Sequence, residues 1–479
     1  MAPVVPAAFA PDFRPSDLLV APTDPEDERI EVGVVIVGGG PAGLACANRL
    51  MTLLGDDPEL AERLGEVPVA VVEKGKACGA HNVSGAIMRP SAMEELFPGE
   101  DFPNFGRVER ESVLLLPSAT RSIRIPTPPP FRNHGNVIIS VAELSRWLAE
   151  KAEEAGAYLL TETAASHLLI DGGEVRGVRS GDKGRGRDGE ELPNFEPGSD
   201  LVAQATVLAE GTWGHLTGAA IGEFGLENDP QEWALGVKEV WEVAEPLDRV
   251  IHTLGWPLRT GAKWSEFGGS WIYPMNREGE PPRVSIGFVA GLNHSDATLS
   301  VHDVLQQFKT HPAIRRILDG GKRVAWGAKT IPEGGWWAMP RLHAPGMVIV
   351  GDGAGMVNVP ELKGVHYAMH AGMLAAEHIV DALRAGSPDL AAYDAAVRGS
   401  VIGRDLYRSR NMKQPFRRGF FVGGAITNAM VATRGRFPGG HWETHPDAAA
   451  PMVVGDRAAA YPRPDGRLTF DKLSSVYIS

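Results

Sequence analysis

Glu31-Val-Gly-Val-Val-Ile-Val-Gly-Gly-Gly-Pro-Ala-Gly-Leu-Ala-Cys-Ala-Asn-Arg-Leu50 holds a strand, a glycine turn and a helix start in one unbroken run. The apolar segment Val32 to Val37 reads as a buried parallel strand. Gly38, Gly40 and Gly43 then fit G-x-G-x-x-G. Gly38 makes the tight turn, Gly40 lets backbone amides approach a pyrophosphate, and Gly43 lets helix and strand pack closely. Pro41 and Ala42 open the helix, whose N-terminus carries partial positive charge toward the phosphates. Pro68-Val-Ala-Val-Val-Glu73 reads as the next strand, with Glu73 and the adjoining Lys74 on the ribose side. Glu73 lies farther from Gly43 than the roughly 20 residues usual for the ribose acid. The polar stretch Gly55 to Val67 lengthens the connection. Gly184, Gly186 and Gly189 repeat the glycine pattern inside Gly181-Asp-Lys-Gly-Arg-Gly-Arg-Asp-Gly-Glu190, without a strand before or a helix after. That copy reads as a polar surface loop.

Two later segments point to FAD. Ala205-Thr-Val-Leu-Ala-Glu-Gly-Thr-Trp-Gly214 is an apolar strand closing on Glu-Gly, which places Gly211 beside the dinucleotide. Gly346-Met-Val-Ile-Val-Gly-Asp-Gly-Ala-Gly355 is a buried strand ending in Gly-Asp. Asp352 is placed to accept hydrogen bonds from ribitol hydroxyls, and Gly355 completes the turn. From Gly364 a helix rich in small residues (Ala368, Ala371, Gly372, Ala375, Ala376) points its N-terminus at the isoalloxazine. Amides there favour negative charge on the ring edge. No second strand–glycine turn–helix unit follows, so a separate NAD(P)H domain is not expected.

The chain has 479 residues, 43% hydrophobic and 22% charged, enough for two or three domains. A net charge of −13 argues against nucleic acid as a partner. Two cysteines, Cys46 and Cys78, imply no disulfide framework. Cys46 reads as a packing residue and Cys78 as structural. Neither His81 nor His366 stands in metal-ligand spacing, so no metal is assigned, and no acid/base pair is singled out. Residues 1–28 are proline-rich and read as a disordered lead-in rather than a signal peptide. No run is long enough to span a bilayer.

Ser140 and Glu143 form a capping box for a helix closed at Gly156. Ser300 and Asp303 start another helix, and a short one follows from His311. Val284, Ile286, Phe288 and Ala290 alternate as in an antiparallel sheet with one buried face. Gly419 to Thr433 is uncharged and flanked by Lys413, Arg417, Arg418, Arg434 and Arg436. It suits either a segment lying in a membrane interface or a buried helix with solvated ends. The expected fold class is α/β (mixed α+β). A Rossmann-like FAD-binding domain of the two-dinucleotide-binding-domain type spans 29–230 and 325–400. An inserted antiparallel-sheet substrate-side domain spans 231–324, and a C-terminal membrane-surface segment and tail spans 401–479.

The chain resembles the electron-transfer flavoprotein–ubiquinone oxidoreductases and the related FixC-type flavoproteins. The resemblance rests on Gly79-Ala-His-Asn-Val-Ser-Gly85, Gly255-Trp-Pro-Leu258, Phe267-Gly-Gly-Ser270, His311-Pro312, Gly320-Gly-Lys-Arg323, Glu333-Gly-Gly335, Asn358-Val-Pro360 and Leu468-Thr-Phe-Asp-Lys-Leu-Ser-Ser475. It implies a monotopic flavoenzyme on the cytoplasmic face of a membrane. Such an enzyme takes single electrons from reduced electron-transfer flavoprotein and passes two to ubiquinone or menaquinone, with the flavin as the redox centre. The family's quinone-contacting glycine pair corresponds to Gly268 and Gly269. Its two bilayer-dipping segments correspond to roughly 80–97 and 416–434, with Phe420, Phe421, Val422, Ile426 and Met430 as the membrane contacts. The family also carries a [4Fe–4S] domain, which needs four thiolates. Two cysteines cannot supply them: either a separate ferredoxin-like subunit supplies the cluster, or the chain is a piece of a longer one, or electrons reach the flavin directly. Pro332 and Val365 stand where the family usually has Asn and Thr near the flavin. Two other readings compete: an NAD(P)H-dependent flavin hydroxylase or reductase (geranylgeranyl-reductase-like), and a FixC-type electron-relay subunit.

Overall fold

Val34, Val35 and Ile36 have no exposed surface, as a strand buried on both faces requires. They lie in β2 (Arg29–Val37), near the middle of a largely parallel sheet. The computed structural model describes residues 2–23, 29–82, 85–259 and 266–473. On one side β2 pairs in parallel with β3 (Val69–Val72), which pairs with β8 (Tyr158–Leu160). On the other it pairs with β13 (Asp200–Leu208), followed by β10 (Glu174–Ser180), β9 (Ala165–Asp171) and β1 (Leu19–Val20). β20 (Met347–Ile349) also lies along β13, with β19 (His343–Ala344) hairpinned to it. The second glycine run lies in the exposed hairpin of β11 (Lys183–Arg185) and β12 (Glu191–Glu196).

Helices α1 (Pro41–Gly55), with the short α2 (Pro58–Arg63) after it, and α9 (Val365–Ala385) cover this sheet. α4 (Val141–Glu154) packs against α1, together with α3 (Ser91–Leu96) and the two-stranded pair β4 (Ala86–Met88) and β7 (Val137–Ile139). Ser140 caps α4 by accepting the Glu143 amide at 3.3 Å. The Glu143 carboxylate lies 2.6 Å from Arg277. α5 (His215–Glu223), α10 (Ala391–Gly399) and α11 (Val401–Ser409) complete the layer.

A second, seven-stranded sheet runs in the order β18 (Lys322–Pro332), β14 (Trp233–Glu242), β17 (Arg283–Gly291), β16 (Gly268–Pro274), β15 (Val250–Gly255), β5 (Glu111–Leu116), β6 (Ile123–Ile125). Its outer face packs on α6 (Val301–Lys309) and α7 (Pro312–Leu318), through Trp241, Phe288 and Phe308. Its inner face packs Val240 and Tyr273 against Ile87 and Ile138 of the β4–β7 pair.

Four sequence expectations change. The lead-in is not disordered over residues 2–23. β1 extends the parallel sheet, Leu18 and Leu19 join the core, and Asp200 accepts the Thr23 amide at 2.6 Å. Residues 24–28 lie outside the described residues. The antiparallel sheet is not confined to 231–324: it takes β5 and β6 from upstream and follows β18 to Pro332, because strand pairing ignores sequence distance. β17 is buried on both faces, Ser285 as fully as Ile286, because the inner face is covered too. The apolar side chains Ile87, Met88, Ala92 and Met93 of segment 80–97 point into the protein, where β4 and α3 need them as core.

Candidate functional site

α1 and α9 lie side by side and run in the same direction. Ala42 meets Gly372 near one end, and Arg49 binds Glu377 at 2.6 Å one helical stretch along. A Cβ on Gly372 would sit 2.2 Å from the Ala42 carbonyl oxygen, so the small-residue face of α9 is what permits the approach. Both N-termini therefore face the same side, and neither Gly40 nor Gly364 caps its helix with a side chain. The first amides of both helices are left for a ligand or water.

The glycines of the turn differ in their surroundings. Gly38 sits at φ +114°, and a Cβ there would lie 2.3 Å from the Ala209 carbonyl oxygen. A Cβ on Gly43 would lie 2.1 Å from the Gly38 carbonyl oxygen. Around Gly40 and Gly211 a Cβ would meet nothing within 4 Å. Pro41 fills the first helical position, where its missing N–H costs nothing. A cradle bare of side chains, floored by uncapped amides, fits a dinucleotide's pyrophosphate.

Glu73 closes one end. Its oxygens accept the Gly39 amide at 2.9 Å and the Gly75 amide at 2.7 Å, with lone pairs left for a sugar hydroxyl. Lys74 beside it is exposed. Asp352 lies at the other end, in the turn after β20, with Thr212 Oγ1 at 3.5 Å. Burial pushes its carboxyl up, and Lys329 and Thr212 oppose the shift. Gly355 takes the left-handed conformation that closes the turn. Glu210 faces away from the cradle, its carboxylate holding the Thr217 amide at 2.6 Å at the start of α5. The Cys78 sulfur packs against Gly39, and burial pushes its thiol up to about 12, an inert thiol. Cys46 is wholly buried in α1.

The inner face of the antiparallel sheet forms the opposite wall. Register puts Gly269, Val289, Gly236 and Lys329 in one row, and Trp271, Gly287, Lys238 and Gly327 in the next. Sequence reading missed both lysines, because strand register alone brings them onto this face. Burial lowers the Lys329 pKa, Lys74 adds to that, and Asp352 and Glu73 oppose it. Lys329 thus looks across at both ends of the cradle.

At the far edge, Gly268 has φ +150° and a Cβ there would sit 2.0 Å from the Val289 carbonyl oxygen. Beside it an aromatic track begins. Phe267 meets Phe416 at 5.0 Å between ring centroids, Phe416 meets Phe420 at 6.5 Å, and Phe420 meets Phe421 at 5.5 Å. Phe420 and Phe421 open α12 (Phe420–Ala432), and Phe421 is 81% exposed. Val422 is exposed and Ile426 half-buried. Met430 is 0% exposed, which corrects its assignment as a membrane contact. Gly423, Thr427 and Met430 form the inward stripe of the helix at i, i+4, i+7, and Thr427 Oγ1 donates to the Met412 carbonyl at 2.9 Å. The basic flanks split similarly: Lys413 is buried between Glu333 at 2.7 Å and Glu232 at 3.1 Å, and Arg417 binds Glu232. Arg418, Arg434 and Arg436 remain exposed. No helix among the described residues is long and apolar enough to cross a membrane.

His366, at the second position of α9, is buried with both ring nitrogens unpartnered. Burial, with Arg89 nearby, takes its pKa down to about 2, so the ring stays neutral. Among the described residues no group of three or more His, Cys, Asp or Glu could hold a metal.

Residues 233–331, which form much of the antiparallel sheet, match a family described as ETF-QO, ubiquinone-binding. Over 467 residues the chain is 38% identical to the mitochondrial electron transfer flavoprotein-ubiquinone oxidoreductase of Caenorhabditis elegans, covering 93% of this chain and 76% of that protein. It is 38% identical over 475 residues to the corresponding protein of Pseudomonas aeruginosa, covering 95% and 83%. Among solved structures, a geranylgeranyl bacteriochlorophyll reductase-like protein from Thermoplasma acidophilum superposes with TM-score 0.62 at 17% identity, over 84% of this chain and 91% of that one. A flavin-dependent brominase superposes with TM-score 0.55 at 17% identity, over 84% and 94%. These two likenesses show the Rossmann-type flavoprotein fold.

Proposed function

The chain belongs to the electron transfer flavoprotein–ubiquinone oxidoreductase family, and on that premise we propose that it passes electrons from reduced electron-transfer flavoprotein, through FAD in the cradle, to a membrane quinone. Bound FAD would supply the redox chemistry, accepting electrons singly and giving them up as a pair. The chain's own residues bind and orient it. The α1 amides behind Gly38, Gly40, Pro41, Ala42 and Gly43 take the pyrophosphate, and Lys329 reaches over from the other domain to offset phosphate charge. Glu73, next to Lys74, takes the ribose hydroxyls. Asp352 takes the ribitol, in a turn framed by Gly211 and Gly355. The amides after Gly364 face the ring edge, where they favour added negative charge.

The observation that carries the quinone half is the aromatic track from Gly268 and Gly269 to the exposed Phe421. A glycine pair admits a flat ring to the backbone. The track gives an apolar tail a dry route to the surface, ending on a helix rimmed by Arg418, Arg434 and Arg436. Phe420, Phe421, Val422 and Ile426 are the lipid-facing contacts of this reading. It places the protein peripherally, at the cytoplasmic face of a membrane.

A [4Fe–4S] cluster does not fit this chain's donors. Cys46 and Cys78 are its only cysteines, and both are buried. We propose that any cluster in the route is held outside residues 1–479, a separate ferredoxin-like chain being one such holder. Stopped-flow mixing of the FAD-loaded protein under anaerobic conditions tests the function. Reduced electron-transfer flavoprotein bleaches the flavin band, and NADH or NADPH leaves it unchanged. Rapid bleaching by NAD(P)H alone would overturn the reading in favour of a reductase.

A further inference from the structure

The buried lysines and the half-buried Lys238 differ in their company. Lys309 Nζ lies 2.8 and 3.0 Å from the Glu239 oxygens, and Lys413 is held by Glu333 and Glu232. A carboxylate offsets the charge in both. Lys238 has no such partner among the described residues. Its Nζ donates to the Gly85 carbonyl at 3.3 Å and lies 6.0 Å from the centre of the Trp271 ring. The Trp271 indole N–H is itself buried without a partner. A Cβ on Gly287 would sit 2.2 Å from the Trp271 ring, so this glycine lets the indole fold over the sheet toward the amine.

Lys238 shares the cradle-facing side of the sheet with Lys329, one strand and two residues away, roughly 7 Å between Cβ atoms. The buried Lys363 lies near enough to that wall to act on His252. Lys329 faces Asp352, Glu73 and Lys74, and His252 and Tyr273 lie farther along, hydrogen-bonded to each other at 3.1 Å. Burial holds His252 neutral, its pKa down to about 3. An ammonium held by one carbonyl and an indole is poorly compensated, and its neutral form is favoured. Burial accordingly lowers the Lys238 pKa to about 7.

We propose that Lys238 is the redox-linked proton acceptor of the flavin cleft: its amine takes one proton from solvent as electrons arrive on the flavin and releases it as they leave. Two electrons from reduced electron-transfer flavoprotein, with the one proton the reduced ring itself would take from water, would leave one added negative charge opposite the sheet. A second water-derived proton forms a new N–H bond at Nζ and offsets it. When the pair moves on, the ring and Nζ each return a proton to solvent, and the quinone takes up two to become the quinol. The inference rests on FAD occupying the cradle.

The test is a spectroelectrochemical titration of the FAD-loaded full chain from about pH 5.5 to about pH 9. In the wild type the midpoint potential falls more steeply above about pH 7. Lys238→Met removes that bend and lowers the potential on the acid side, because the charge is gone. Lys238→Arg removes the bend but keeps the acid-side potential, because a guanidinium stays charged. A bend that survives in either variant, or a wild-type profile in Lys238→Met, overturns the proposal. Should Lys238→Met lose its FAD, the bend in Lys238→Arg decides alone. A wild-type chain that takes up no FAD overturns the proposed function instead.

Discussion

Two glycine runs with the same spacing meet different fates in this molecule. Gly38, Gly40 and Gly43 lie at the end of a buried strand, where a Cβ on Gly43 would strike the backbone. Gly184, Gly186 and Gly189 lie in an exposed hairpin, where a Cβ on Gly189 would meet nothing and one on Gly186 only the end of Glu190. The carboxylates nearby differ as well. Burial pushes Asp352 up, whereas the Gly198 amide and Arg185 hold the exposed Asp182 below the usual carboxylate range. Spacing alone carries no chemistry. A strand behind the turn and a helix ahead of it turn three glycines into an anion cradle.

Gly43→Val should break the contrast most severely. The new side chain forces helix and strand apart, costing about 3 kcal/mol and abolishing FAD retention, read from the flavin-to-protein absorbance ratio and thermal melting. Asp352→Asn comes next and should act in two directions. FAD affinity falls roughly 10- to 100-fold through loss of charge-assisted hydrogen bonds, measured by fluorescence titration. The FAD-free protein becomes more stable, because an ionised, half-buried carboxylate that its surroundings disfavour is removed. Asp352 has a folded pKa above its unfolded value, so its ionisation penalises the fold at neutral pH and not below the ordinary carboxylate range. The gain in melting temperature should be largest near pH 8 and close as the pH falls through the raised pKa.

In the hairpin the effects shrink. Gly189→Ala should cost about 1 kcal/mol, because a residue at φ +88° is strained without being crowded, and FAD affinity should not change. Gly186→Ala should be smallest, within about 0.5 kcal/mol in denaturant melts. A loss of FAD from either hairpin variant would mean that the two runs are not as separate as their surroundings suggest.

The cradle was legible in the sequence because it is local. A strand, its turn and its helix are contiguous, and so are the turn at Asp352 and the start of α9. The antiparallel sheet was legible in kind but not in extent, since nothing near residues 111–125 announces pairing with a strand at 250. Lys238 and Lys329 were invisible for the same reason: two lysines on separate strands become neighbours only through register. Segment 80–97 and Met430 went astray for a different cause. An uncharged run reveals apolarity but not which neighbour consumes it, and here β4, α3 and the inner stripe of α12 do. Of the charges flanking that run, Arg417 and Lys413 hold Glu232.

Anaerobic photoreduction of the bound flavin, followed by addition of a short-chain ubiquinone analogue, tests the proposed electron route most directly. Rapid return of the oxidised flavin spectrum, with one quinol formed per FAD, is the predicted result. A flavin that stays reduced in excess quinone, or a purified chain that is colourless and cannot be reconstituted with FAD, would contradict it.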